Sequence, residues 1–130
     1  MGGNYGVNQY KQVGVKTAAP GQILLMLYEA AIKNVKKASA CIEAGDMAGK
    51  GTAIGKAHDI LNELLNTLNF EIGGDIARDL ERLYNFMTGQ LMEANMENSK
   101  EKLASIQKLL ETLLSGWTMA VDQFNKKTVR

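Results

Sequence analysis

Pro20-Gly21-Gln22-Ile23-Leu24-Leu25-Met26-Leu27-Tyr28-Glu29-Ala30-Ala31-Ile32-Lys33-Asn34-Val35 is the stretch from which the fold is read. Proline suits a first helical turn, where its missing N–H is no loss. Leu24, Leu27, Ala31, Val35, Ala38 and Ile42 then recur at steps of three and four, the period of an amphipathic helix. Gly45 marks a stop, and Asp46 can cap the next start.

The same period continues outward. A second helix carries Ile54, Ala57, His58, Leu61, Leu64, Leu65 and Leu68 on one stripe. Gly73-Gly74 breaks it, and Gly74 or Asp75 opens a third helix with Ile76, Leu80, Leu83, Tyr84, Met87, Leu91 and Ala94. Asn98 with Glu101 resembles a capping box. A fourth helix shows Leu103, Ile106, Leu110, Leu113, Trp117, Ala120 or Val121, and Phe124. Four amphipathic helices with short turns predict an all-α, antiparallel up-down four-helix bundle. The expected helices span about 20–44, 46–72, 74–97 and 99–125, with a tail over 126–130.

Residues 1–19 differ. They hold four glycines and only two charged side chains, Lys11 and Lys16. Tyr5, Val7, Tyr10, Val13 and Val15 supply apolar anchors, and Val13, Val15 and Thr17 alternate as an extended chain would. Composition leaves two readings open: a frayed terminus, or a strap or short cap helix docked on the body.

Composition excludes several classes. With 130 residues the chain is one domain. Fifteen basic and fourteen acidic residues leave a net charge of +1, so no global field draws in nucleic acid or an anionic membrane. The longest apolar run, Ile23 to Tyr28, is far too short to insert into a membrane. The start has no basic and apolar blocks of a signal peptide, and Gly6 stands where myristoylation wants Ser or Thr. One Cys fits a reducing compartment. One His excludes sites that need two.

The small motifs carry no chemistry. Gly49-Lys50-Gly51-Thr52 fails as a phosphate loop, because Gly51 separates Lys50 from Thr52 and no strand precedes it. His58 reads as a core or boundary histidine, and Cys41 as a buried inert thiol. The carboxylates fall opposite the apolar stripes, beside cations such as Arg78 and Arg82. No catalytic residues, cofactor or metal site are expected.

An excess of apolar surface stands out. Ile23 to Tyr28 is hydrophobic all round the helix, and Met87, Met92 and Met96 lie together on the third helix. Such surface is either core filling or an adaptable partner site.

Two blocks resemble the FliS family of flagellar secretion chaperones. The first is Tyr10-Lys11-Gln12, then Val15-Lys16-Thr17-Ala18-Ala19-Pro20, then Leu25-Met26-Leu27-Tyr28-Glu29-Ala30-Ala31-Ile32-Lys33. The second is Gly74-Asp75-Ile76-Ala77 with Leu80, Leu83-Tyr84, Met87, Leu91 and Glu93-Ala94-Asn95; the late Trp117 adds to it. Thr88-Gly89-Gln90 stand where many relatives carry a basic pair.

The resemblance implies a cytoplasmic, non-enzymatic chaperone, a monomer or weak dimer. It implies binding of the C-terminal segment of flagellin, which prevents premature polymerisation and helps delivery to the flagellar type III export apparatus. Export gate or ATPase components are implied as further partners. In the family a strap can occupy a flagellin groove when cargo is absent. Tyr10, Gln12, Val15, Thr17, Ala18 and Pro20 match that strap and hinge, and Leu24, Leu27 and Tyr28 match the helix signature beside it. The other reading from the residues is a homo-oligomeric structural or signalling bundle that uses the same surface between identical subunits.

Overall fold

In the computed structural model, residues 20–128 are described, and they form four helices. Helix α1 spans Pro20–Ala44, α2 Met47–Asn66, α3 Phe70–Glu97 and α4 Lys100–Thr128. Residues 1–19, with the expected strap, lie outside the described residues, as do 129 and 130.

Neighbouring helices run antiparallel. Gly21 at the start of α1 lies against Val121 late in α4, and Glu43 at the end of α1 pairs with Lys100 at the start of α4. Lys50 near the start of α2 reaches the end of α3. The ring order is α1–α2–α3–α4, with α4 closing back on α1. Leu27, Ala31, Val35, Leu61, Leu64, Met87, Leu91, Leu103, Ile106 and Leu110 meet along its axis. A fully buried Leu or Ile contributes about 1.5–3 kcal/mol, so this axis holds the ring together.

The turns follow their residues. Gly45 has φ +75°, and its N–H donates to Ile42 O while Asp46 N–H donates to Cys41 O. That six-to-one and five-to-two pair is a Schellman ending, which favours glycine. Asp46 then caps α2 by accepting from Gly49 N–H at 2.9 Å.

Several expectations are corrected. Helix α2 stops at Asn66, not near residue 72, and α3 opens at Phe70. Thr67 ends the one, with its hydroxyl donating to Leu64 O; Asn69 starts the other, accepting from Ile72 N–H. Gly73-Gly74 is therefore a kink inside α3 and not its boundary; Gly74 takes φ +54°, ψ −124°. Asn98 does not cap α4. It ends α3 in the left-handed region, and Ser99 Oγ accepts from Lys102 N–H instead. Helix α4 continues to Thr128 through the expected tail. Phe124 and Ile76, both placed on apolar stripes, are 67% exposed.

Among the described residues one charged side chain is buried. Lys50 sits with 8% exposure and donates to Asn95 O at 2.9 Å and Asn98 Oδ1 at 2.5 Å. A cation at a helix C-terminus meets carbonyls that have no helical partner and the negative end of the helix dipole.

Candidate functional site

At the other end of the bundle the packing opens. A pocket of about 300 Å³ lies between the first turns of α1, the α2–α3 turn, the start of α3 and late α4. Leu24, Leu68, Ile72, Ile76, Leu80, Tyr84 and Trp117 line most of it, and no lining residue is charged.

Local sequence explains the opening. Asn69 starts α3 early, and Gly74 then turns the chain through a backbone region that side chains rarely adopt. The first turn is thereby set off from the rest of α3. Ile72 is left 86% exposed at the rim, beside Ile76. Each isoleucine forgoes about 1.5–3 kcal/mol while it stays in water. Covering this rim is favourable for any apolar helix or strand of suitable shape.

The inner wall carries a polar relay. Trp117 Nε1–H donates to Tyr28 Oη at 3.1 Å, and the Tyr28 and Tyr84 hydroxyls share a hydrogen bond of 2.5 Å. Their rings stand 6.5 Å apart and tilted by 54°. Burial pushes both phenol pKa values up. At Tyr28 the hydrogen bond shared with Tyr84 and the one accepted from Trp117 offset part of that rise. These three side chains tie α1, α3 and α4 together beside the pocket.

A second groove of about 370 Å³ lies between α1 and α4 over Ile32 and Leu114. Glu29, Lys33, Lys36 and Glu111 edge it with charges of both signs. Phe86, Met92 and Met96 are exposed on α3. Among the described residues no three His, Cys, Asp or Glu side chains converge as metal ligands. His58 accepts from Asn62 Nδ2 at Nδ1, in the tautomer with its proton on Nε2, and Cys41 is buried.

The residues singled out from sequence separate into three groups. Tyr10, Gln12, Val15, Thr17 and Ala18 lie outside the described residues. Pro20 opens α1, and Leu24 lines the pocket. Leu27 and Tyr28 are buried in the core, Tyr28 with no exposure at all. Leu68, Ile72 and Ile76 were not singled out as site residues. Ile72 and Ile76, one turn apart beside a double glycine, were the available signal.

The family model described as Flagellar protein FliS matches residues 3–124. The chain belongs to the FliS family. A FliS relative from Vibrio cholerae, named a flagellar secretion chaperone, is 33% identical over 92% of this chain and 90% of its own length. Relatives of the same name from Salmonella typhimurium and Bacillus subtilis are 34% and 32% identical. They cover 86% and 90% of this chain, and 87% and 86% of their own. A solved structure described as a flagellar chaperone from bacteria superposes with a TM-score of 0.76 at 21% identity. It covers 92% of this chain and 97% of that one, and it shares the FliS bundle fold.

Proposed function

We propose that this FliS protein is a cytoplasmic export chaperone that holds the C-terminal segment of flagellin. Holding that segment keeps flagellin from polymerising early and carries it to the flagellar type III export apparatus, whose gate or ATPase components are the further partners. The observation that carries the reading is the uncharged pocket rimmed by Ile72 and Ile76, in a chain whose relatives are named flagellar secretion chaperones. A groove of this kind takes an amphipathic helix by apolar anchors one turn apart. No helix among the described residues is long and apolar enough to cross a membrane, which is compatible with a cytoplasmic site.

In this reading residues 1–19 mask the groove when cargo is absent, and cargo outcompetes them. The test is titration of the full chain with a peptide of the flagellin C-terminal region. Heat of binding and a gain in helical circular dichroism on mixing are expected. Neither signal at near-millimolar peptide would overturn the proposal.

A further inference from the structure

The face of α3 that points away from the bundle axis carries large apolar side chains left in water. Phe86, Met92 and Met96 are each more than half exposed. Exposed apolar side chains gathered on one helix face mark a contact with another molecule. At 3.6 residues per turn they gather round Gly89. Phe86 and Met92 lie three residues before and after it, about 60° to either side. Arg82 and Met96 lie seven residues before and after it, within about 20°. The buried Tyr84, Met87 and Leu91 fall on the opposite side of the helix. A Cβ built on Gly89 meets nothing within 4 Å, so packing within its own chain does not call for a glycine there. Glycine in a helix interior nonetheless weakens the helix.

We propose that this face joins a second copy of the chain, α3 against α3 and antiparallel, with Gly89 on the two-fold axis. A two-fold contact must match itself, so residues equally far before and after Gly89 come level across the seam. Phe86 comes level with Met92 of the second copy, a ring and a thioether that attract one another. Arg82 comes level with Met96 of the second copy and within one turn of its Glu93. Lys102 holds that carboxylate at 2.7 Å, and the partner of Arg82 within its own chain is the exposed Asp79. The charges select the direction, because parallel copies would set Arg82 on Arg82 and Glu93 on Glu93. Gly89 lets the two backbones approach closely at the crossing. A cargo helix has no need of a face that repeats about its own centre; a second copy does. One helix face makes a small interface, so the dimer is weak. Ile76 of the pocket lies 13 residues from Gly89, about 20 Å along α3. Both pockets therefore stay open, at opposite ends of the pair.

Sedimentation equilibrium of the full-length chain reads the association. A reversible monomer–dimer equilibrium is expected between about 10 µM and about 1 mM. Gly89→Gln sets a side chain on the axis and is expected to raise the dimer Kd at least roughly tenfold, while Tm holds or rises. Direction is read from single cysteines under diamide, in a Cys41→Ala background that leaves no other thiol. Gly89→Cys is expected to cross-link readily. Arg82→Cys stands about 20 Å from its counterpart, beyond disulfide reach, and is expected to stay unlinked. A chain that is monomeric at about 1 mM overturns the proposal. So does a Gly89→Gln dimer as tight as the wild type, or Arg82→Cys linking as fast as Gly89→Cys. Flagellin-peptide affinity is expected to be equal in wild type and Gly89→Gln. Its loss in a folded Gly89→Gln chain would give this face to cargo and reject the dimer. Failure of the peptide to bind the wild type strikes the proposed function alone and leaves the sedimentation result standing.

Discussion

The Lys50 ammonium donates to Asn98 Oδ1 at 2.5 Å, across 48 residues of sequence, and the same nitrogen donates to Asn95 O. One buried cation thus fastens the start of α2 to the end of α3. Its partners are neutral oxygens, so the stabilisation comes from hydrogen bonds and the helix end, not from an ion pair.

Lys50→Met keeps the aliphatic stem and removes both bonds. A stability loss of about 2–3 kcal/mol is expected, read by urea denaturation. Lys102→Met, which removes contacts to the half-buried Glu93 and the exposed Glu97, is expected to cost well under half as much.

The tyrosine pair sets an alkaline limit. Both folded phenols hold their protons above the usual value near 10, because burial disfavours the phenolate. The unfolded chain releases those protons first. The pair's contribution to stability is therefore flat below about pH 10 and falls as pH rises beyond it. In a Tyr5→Phe/Tyr10→Phe background, phenolate absorbance should appear together with loss of helical circular dichroism. Phenolate forming while the helices persist contradicts the burial account.

Glycines at the start of α2 divide by surroundings. A Cβ on Gly51 or Gly55 meets nothing within 4 Å. Ala at either position should stabilise the chain by about 0.5–1 kcal/mol, through a less costly helical backbone. A Cβ on Gly49 lies 2.9 Å from Cys41 Sγ and against the capping Asp46, so Gly49→Ala should lower Tm. Thermal melts of the three variants separate the two classes.

The rim isoleucines should matter to cargo and not to folding. Ile72→Ser and Ile76→Ser remove side chains that are already mostly in water. Tm is expected to stay within about 2 °C of wild type. Flagellin-peptide affinity should fall roughly tenfold per substitution if they act as anchors. Calorimetry on both variants checks the pair of outcomes.

The bundle was legible wherever the controlling signal was local. The steps of three and four from Leu24 to Ile42, the Gly45 stop and the Asp46 cap depend on neighbours within a turn or two. The end of α2 was not, because Leu65 and Leu68 continue its stripe while Thr67 and Asn69 already make caps. Ile76 fits the apolar period of α3, yet Gly74 sets the opening turn apart and leaves Ile76 at the rim. Phe124 fits the period of α4, but Val121 already lies level with Gly21, and little of α1 remains beyond to cover it. The tyrosine bond joins positions 56 apart and leaves no local trace.

Trp117 is the chain's sole tryptophan, and its indole both borders the pocket and donates to Tyr28. The protein therefore carries its own optical reporter at the pocket to which the proposed function assigns cargo. An occupied rim excludes water from one face of the indole, an emptied rim admits it, and the emission maximum follows without any added label.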